Sequence, residues 1–436
     1  MKTEEGLIRA VGVRGLTAGM VNYTIGAGIF VLPALVAARV GAAAPLIYII
    51  CAVAMGLIVL CFADAGSRVS LTGGTYAYAE TAFGPYIGFI VATSLWFGSN
   101  VLASAAVANV FMDALGQMAP ALATGPMRAA VLILMYAAFA AINIRGVKLG
   151  SGTVQLVTLA KLAPLLALVA FGLFAVNSAN LAWPGLPPAN EIARTTVILI
   201  FAFLGVESAL ALSGEVREPA KTVPRAIFST LVLVTLLYMA IQFVSQGVLG
   251  AELATSTKAP LAETAKRVMG SGGALLVLIG TAISTFGYVA GDMLASPRCL
   301  YALGRDRQLP PFIGTVGEKY HTPHVAIVIH AVLCATLAVT GSFMGLMVLA
   351  TLATLIVYLI CCLATIQLRR LNVSADGAVP FKVPGGPVIP IIASLVVVWL
   401  MTSSTKQEFL ALGAMLAIET LIYLAMRTQR VAFAAT

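Results

Sequence analysis

The chain has 436 residues, of which 60% are hydrophobic and only 10% are charged, and its formal net charge is +9 at pH 7. A soluble domain must cover itself with polar surface, so a composition this apolar excludes an ordinary soluble protein. Apolar runs long enough to cross a hydrocarbon core of about 30 Å recur from one end of the chain to the other. The sequence therefore predicts an all-α integral membrane protein whose surroundings are the lipid bilayer.

About twelve transmembrane helices are predicted, and no segment between them is large enough to fold separately, so residues 1–436 are expected to form a single domain. In chain order the predicted spans cover 12–37, 43–64, 84–116, 127–144, 152–177, 192–214, 224–249, 273–303, 323–341, 343–368, 386–404 and 408–427.

Lysine and arginine are distributed unevenly between the loops of this arrangement. Of the 26, 18 fall on the side of the N-terminus, 7 fall on the opposite side, and Lys161 lies inside a span. Because positively charged loops remain in the cytoplasm, both termini are predicted to be cytoplasmic, with the chain in the inner (plasma) membrane of the cell. The same asymmetry accounts for the net positive charge, which gives no reason to expect a nucleic-acid partner.

The first span carries residues that disfavour a continuous helix. Gly26 and Gly28 lie at mid-depth and Pro33 follows them. Each glycine costs a helix about 1 kcal/mol relative to alanine, and a proline costs more. Unwound backbone inside a membrane is tolerated only where it is buried or lines a watery cavity. A break in the first span, and a site beside it, are therefore predicted.

The sixth span has a second such point, with Gly205 at mid-depth and Glu207 beside it. Because the sixth span comes five spans after the first, an odd number, the unit that begins at the sixth span enters the membrane in the opposite direction. This pattern is typical of a five-plus-five inverted repeat, here about 12–177 and 192–368, followed by two more helices at about 386–427. The alternative is that the glycines only allow close helix packing, which does not account for an acid at membrane depth.

The two breaks expose complementary backbone groups. Amides released at the start of a half-helix lie at its positive end and favour a carboxylate. Carbonyls released at the other break would accept hydrogen bonds from an ammonium group. The amides belong to Ala27, Gly28 and Ile29, and the carbonyls to Phe201, Ala202 and Leu204. An α-amino acid carries both groups on one carbon, so the pattern predicts an amino-acid site.

At these residues the chain resembles the amino acid-polyamine-organocation superfamily, whose members have the leucine-transporter fold with interrupted helices 1 and 6. The matching motifs are GAGIF at 26–30, GGTYAY at 73–78, FGP at 83–85, FLGVES at 203–208, EP at 218–219, VP at 223–224, PR at 297–298, RD at 305–306 and LP at 309–310. They cover most of the first ten spans. The resemblance implies a secondary active transporter that works by alternating access, not an enzyme.

Lys161 lies in the middle of the fifth span, where an ammonium group is costly and predicts a function. It resembles the lysine that occupies the space of a sodium ion between the first, fifth and eighth helices of sodium-independent family members. Its expected neighbours are carbonyls near the first break and the hydroxyls of Ser284 and Thr285, which together with Glu207 form the expected ion-coupling set. The alternative is that Lys161 only tethers helices.

Glu207 and Asp292 are acids within predicted spans. The family's arginine/agmatine and putrescine exchangers carry a glutamate at the position of Glu207, linked to protonation or to a cationic substrate. A low-dielectric cavity favours the neutral carboxyl, which predicts uptake and release of a proton, although a structural acid is the alternative. Asp292 departs from the family's usual small or aromatic residue. It either faces the cavity as a counter-ion or is tied to Arg298 or a neighbouring helix.

Tyr23, Phe201 and Phe203 supply aromatic area beside the breaks, and Ser99 gives the third span a polar side. These residues are expected to shape the substrate pocket, although small and hydroxyl residues also serve ordinary helix packing. His321 and His324 lie in one loop, and two histidines alone do not make a metal site, so no metal is expected. No phosphate-binding loop is present, and no cofactor is expected.

Two transport functions remain open. One is an amino-acid transporter that is sodium-independent and either coupled to protons or exchanging. The other is a cationic amino-acid or polyamine exchanger, which the two acids would favour together. A channel suits two interrupted helices less well, and an intramembrane enzyme would need a nucleophile, base or metal set that the sequence lacks. The oligomeric state is left open.

Overall fold

The computed structural model describes residues 12–69, 74–122, 124–146, 151–183, 185–205, 216, 218–374, 380–381, 383 and 385–434. Within these ranges the chain folds into helices joined by short turns. The helices are α1 (Val13–Thr24), α2 (Gly28–Val40), α3 (Ala44–Arg68), α4 (Thr75–Phe83), α5 (Pro85–Thr93), α6 (Leu102–Met118), α7 (Gly125–Ile144), α8 (Ser151–Gly172), α9 (Ala189–Ile200), α10 (Pro219–Leu249), α11 (Pro260–Arg305), α12 (His324–Thr340), α13 (Phe343–Arg370), α14 (Val388–Met401) and α15 (Lys406–Ala434).

The all-helical architecture that the composition predicted is confirmed. Seven stretches of the described residues are long and apolar enough to cross a membrane: Gly28–Arg68, Pro85–Met118, Gly125–Ile144, Lys221–Thr255, Pro260–Arg305, Phe343–Arg370 and Lys406–Arg427. Shorter apolar helices occupy Ala160–Ala175, His324–Thr340 and Val388–Met401. The predicted count of twelve exceeds seven partly because interruptions leave helices such as α1 and α9 with 12 residues each, too short to cross alone.

The first span is interrupted where its glycines predicted a break. Helix α1 ends at Thr24, α2 begins at Gly28, and the three residues between them form a bend in which the Ile25 amide still donates to the Val21 carbonyl of α1. In the sixth span, α9 ends at Ile200 and is followed by a single 3-10 turn, Phe201–Phe203. Gly205 then adopts a φ of 106°, a conformation that residues with a side chain rarely reach. The first break and the beginning of the second therefore lie in the described part of the chain.

The third span contains a feature that the sequence did not predict. Between α5 and α6, residues Ser94–Val101 form a π-helical segment, a wider turn that is rare and frequently marks a functional site. A Cβ atom at Gly98 would lie 2.3 Å from the Cβ atom of Ala353, so α13 packs directly against this segment. The π segment is therefore fixed by tight packing.

An ion-pair cluster near the end of α3 ties three parts of the fold together. Asp64 is fully buried and accepts hydrogen bonds from Arg68 Nε at 2.6 Å, Arg369 Nε at 3.0 Å and the Val383 amide at 3.1 Å. One carboxylate thus joins α3 to α13 and to the segment that precedes α14. A buried carboxylate is stabilised when it accepts several hydrogen bonds and faces opposite charges, as Asp64 does.

We expect Asp64→Asn to destabilise the protein strongly, since it leaves two guanidinium groups without a counter-charge in a buried place. Breaking a buried pair by removing one partner costs about 3 to 5 kcal/mol. The measurement is thermal unfolding of the purified protein in detergent. Glu252→Gln is the matched control, because its ion pair with Arg267 is exposed. An equal fall of the melting temperature in both variants would contradict a special role for Asp64.

Candidate functional site

The two interrupted segments lie in direct contact. A Cβ atom at Gly28 would lie 2.9 Å from the Cα atom of Ala202 and 3.0 Å from its Cβ atom. In the same way, a Cβ atom at Gly205 would lie 3.0 Å from the carbonyl oxygen of Tyr23. Each break therefore has a glycine whose missing side chain lets the other break approach.

The start of α2 presents free backbone donors at this contact. The amides of Ala27, Gly28 and Ile29 come before the first hydrogen bond within the helix. Among the described residues, no acceptor receives a hydrogen bond from these three amides. All three residues are buried. Free N–H groups at the positive end of a helix form a binding site for an anionic group.

Tyr238 of α10 connects the two breaks. Its hydroxyl oxygen lies 3.1 Å from the carbonyl oxygen of Thr24 and 3.1 Å from that of Ala202. A phenol has one proton, so the hydroxyl donates to one of these carbonyls at a time. Its fully buried ring packs edge-on against Phe203 with the ring centroids 5.5 Å apart. Tyr238 could not be predicted from the sequence, because one tyrosine in an apolar span carries no spacing signal.

Lys161 is buried at the carbonyl end of α1. Its ammonium group donates to the carbonyl oxygens of Asn22 and, at 2.9 Å, Ile25. The Ser284 hydroxyl of α11 lies 3.4 Å from the Gly26 carbonyl oxygen, in the same break. Thr285, which was expected beside them, instead donates at 2.7 Å to the Thr281 carbonyl of its own helix. A positive charge is thus placed where the dipole of α1 is negative.

The other residues predicted for the pocket have varied surroundings. Phe201 packs edge-on against Phe343 with the ring centroids 6.0 Å apart. The Ser99 hydroxyl lies 2.7 Å from that of Thr354 and so joins the π segment to α13. The remaining members are Tyr23, whose side chain is exposed, Leu204, which is half-buried, and Glu207, which lies outside the described residues.

An ion pair joins α2 and α9 at the ends that lie farthest along each helix from the breaks. Arg39 Nη1 lies 3.2 Å from Glu191 Oε2. A cavity of about 520 Å³ lies beside this pair, lined by Leu35, Ala38, Arg39, Glu191 and Met344. The two half-helices that meet at the breaks are therefore also connected at their distant ends.

Asp292 belongs to a separate polar cluster. Its Oδ2 atom lies 2.9 Å from Nε2 of His330 on α12, and its Oδ1 atom accepts a hydrogen bond from Ser296. Its described hydrogen bonds reach a neighbouring helix and not the breaks, and the partner is His330 rather than Arg298. His330 was not predicted to take part in a site. An ionisable histidine within a span, four residues before Cys334, is nevertheless a signal for a buried polar pair.

The sequence model of the family described as Amino acid permease matches residues 11–425. The chain belongs to the amino acid permease family. The resemblance to the amino acid-polyamine-organocation superfamily is thereby confirmed. Family membership identifies a multi-pass membrane transporter, not an enzyme, and implies about twelve membrane-spanning helices.

Curated relatives of this amino acid permease align with most of its length. It is 27% identical to the methylthioribose transporter of Bacillus subtilis, over 96% of this chain and 93% of the relative. It is also 27% identical to the serine/threonine exchanger SteT of Bacillus subtilis, over 90% of each protein. The branched-chain amino acid permease BcaP of Lactococcus lactis is 27% identical over 87% of this chain and 86% of the relative.

Proposed function

We propose that this permease is a secondary active amino-acid transporter that binds its substrate between the two breaks. The observation that carries the proposal is the contact of Gly28 with Ala202, which places the free amides of α2 beside the second break. Transport proceeds by alternating access of two inverted repeats, without sodium, and with either proton coupling or exchange. The chain lies in the plasma membrane with both termini in the cytoplasm, as the distribution of lysine and arginine supports.

The backbone groups of the site suit the invariant part of an amino acid. The amides of Ala27, Gly28 and Ile29 bind the α-carboxylate, since they are buried and unpaired among the described residues. The carbonyls of the second break accept hydrogen bonds from the α-ammonium group. Tyr238 holds one of these carbonyls, that of Ala202, at a fixed distance from the first break. Sites of this type at the midplane of interrupted helices are common in secondary transporters.

A neutral side chain fits the site better than a cationic one. A cationic side chain at membrane depth needs a negative partner, and Asp292 already shares its carboxylate with His330 and Ser296. A relative named as a serine/threonine exchanger also aligns with most of the chain.

A cationic amino-acid or polyamine exchanger is the second candidate. An arginine/ornithine antiporter of Pseudomonas aeruginosa is 30% identical over 68% of this chain. Glu207 would then be the counter-ion for the substrate. Glu207→Gln distinguishes the two candidates, because a counter-ion role predicts a larger loss of affinity for arginine than for alanine.

Thermal-shift screening of the purified protein against the amino acids and a set of diamines tests the proposal. We expect stabilisation by neutral amino acids, followed by saturable counterflow of the same compound in proteoliposomes. Flux that does not saturate would indicate a channel, and formation of a product would indicate an enzyme. Either result would contradict the proposed transport cycle.

We expect Tyr238→Phe to lower substrate affinity by about five- to tenfold, since it removes one net hydrogen bond of about 1 to 1.5 kcal/mol between the breaks. The ring contact with Phe203 is retained. Affinity is measured by titration calorimetry. Tyr48→Phe is the matched control, because its equally buried hydroxyl joins α3 to Gln242 of the same helix α10. Equal losses in the two variants would show that the bridge has no specific effect.

A further inference from the structure

A buried polar cluster connects α11, α12 and the π segment, and the proposed transport cycle does not use it. It consists of Asp292 and Ser296 on α11, His330 and Cys334 on α12, and Trp96 in the π segment. His330 and Cys334 are fully buried, and the Asp292 side chain is 5% exposed. We call these five residues the His330 cluster.

The hydrogen bonds of the cluster determine where the imidazole carries its proton. Trp96 Nε1 lies 3.2 Å from Nδ1 of His330, and an indole N–H can only donate. Nδ1 of His330 is therefore an acceptor, and the proton of the neutral ring is on Nε2. That N–H points at Oδ2 of Asp292, 2.9 Å away. The cluster thus holds a neutral imidazole beside a carboxylate that accepts two hydrogen bonds.

Among the described residues, His330 is the basic side chain that contacts this carboxylate. Within the described ranges, no lysine or arginine forms an ion pair with Asp292. The titratable groups that face it are Tyr136 of α7, whose hydroxyl lies 3.2 Å from Ser104 of α6, Cys334 of α12, and Cys299 of its own helix. A negative charge in such a place is stabilised when a neighbouring group takes up a proton.

A metal ion is the other ligand that this geometry suggests. Donor atoms of Asp292, His330 and Cys334 all lie within 4.8 Å of one another. A metal on Nε2 of His330 needs the ring proton to be on Nδ1, because the second nitrogen of a ligating histidine donates a hydrogen bond. The indole N–H of Trp96 already donates to Nδ1, so Nδ1 carries no proton. The tautomer therefore fits a proton acceptor and does not fit a metal ligand.

We propose that the pair Asp292–His330 is the proton-binding site of this permease. Trp96, through its hydrogen bond to His330, transmits a change in the protonation of the pair to the π segment. A proton from water binds Nδ1 of His330 and produces an imidazolium beside the Asp292 carboxylate. Both ring nitrogens then donate, so the indole N–H of Trp96 must turn away. Proton uptake thus breaks the hydrogen bond between α12 and the π segment.

The π segment links this event to the rest of the fold. It carries Ser99, which is bonded to Thr354, and Gly98, which packs on Ala353, both on α13. A change at Trp96 therefore acts on the packing of the third and tenth predicted spans. The role of this site in coupling rests on the proposed transport function, whereas proton binding itself does not.

The fluorescence of Trp96 tests proton binding directly. The chain has three tryptophans, and Trp183 and Trp399 both have exposed side chains. In the double variant Trp183→Phe, Trp399→Phe the remaining emission comes from Trp96. We expect a single-step change in this emission as the pH of the sample is lowered, because protonation of Nδ1 removes the acceptor of the indole N–H. His330→Gln keeps a donor toward Asp292 but cannot become an imidazolium, and it is expected to abolish the step.

Glu419→Gln is the matched control, because Glu419 is an equally buried acid that lies 2.9 Å from Ser94 in the same π segment. The step is expected to persist in this variant. A step that disappears with Glu419→Gln and persists in His330→Gln would overturn the proposal. Zn²⁺ is titrated at constant pH as a second probe. An emission change with Zn²⁺ that requires Cys334 would overturn it in favour of a metal site.

Transport assays test the coupling. The ratio of uptake at pH 5.5 to uptake at pH 8 is measured in proteoliposomes, and in His330→Gln we expect it to fall to about one. An unchanged ratio in this variant, or a ratio that collapses only in Glu207→Gln, would overturn coupling through His330. Absence of counterflow in the parent protein would contradict the proposed transport function, while the fluorescence step would still decide whether His330 binds a proton.

Discussion

We expect Gly28→Ala to lower amino-acid affinity by about fivefold or more, and Gly28→Leu to abolish binding, while both variants still insert and fold. The added Cβ atom would lie 2.9 Å from the Cα atom of Ala202, a backbone position that cannot move aside as a flexible side chain can. Overpacking of this kind costs about 1 to 3 kcal/mol. Here the added methyl group forces the two breaks apart. The free amides at the start of α2 then lie too far from the carbonyls of the second break for one substrate to bind both.

Gly26→Ala is the matched control for this prediction. It lies in the same break, and its added Cβ atom would lie 3.5 Å from the nearest atom of Tyr288, an ordinary contact distance. We expect its affinity to remain within about twofold of the parent protein, as volume changes that meet no close neighbour cost little. Affinity is measured by calorimetry after size-exclusion chromatography has established that each variant is folded. Normal binding by Gly28→Leu would remove the site from the first break.

The sequence predicted the breaks because their signal is local. Gly26, Gly28 and Pro33 each disfavour a helix through their own backbone chemistry, and the apolar flanks fix their depth in the membrane. The π segment has a weaker signal. Ser94–Val101 contains a single glycine and no proline, and the close contact of Gly98 with Ala353 is made to a helix that is distant in the chain.

The partners of polar side chains were predictable only where the cost of burial left few choices. An ammonium group inside a span requires carbonyls, and the first break supplies them to Lys161. The hydroxyl of Thr285 had an alternative, because a threonine in a helix can bond to the carbonyl four residues earlier in its own chain. Asp292 was left between two interpretations because its partner, His330, comes from a helix whose rotation the sequence does not determine.

Lys161→Met is expected to reduce transport to less than about one hundredth of the parent rate. The ammonium group donates to the carbonyl oxygens of Asn22 and Ile25. Each hydrogen bond to a charged group contributes about 1.5 to 3 kcal/mol, so loss of both corresponds to more than about a hundredfold change in an equilibrium or rate constant. Methionine keeps the length of the side chain and removes the charge. Lys266→Met is the control, since its side chain is exposed and lies 3.9 Å from Glu263. Equal rates in the two variants would show that Lys161 only fills space.

The position of Lys161 also determines the expected ion dependence. Its charge sits among the carbonyls at the end of α1, beside the Ser284 hydroxyl that contacts Gly26, so the oxygen ligands that a sodium ion would need are already occupied. Transport by the parent protein is therefore expected to be independent of sodium. Uptake is measured with sodium replaced by choline at constant potential, pH and ionic strength. A saturable rise of uptake with sodium would contradict the placement of the Lys161 charge at a sodium site. Such a rise would require Lys161 to leave the carbonyls of α1 during the transport cycle, because one set of oxygen atoms cannot hold both cations at once.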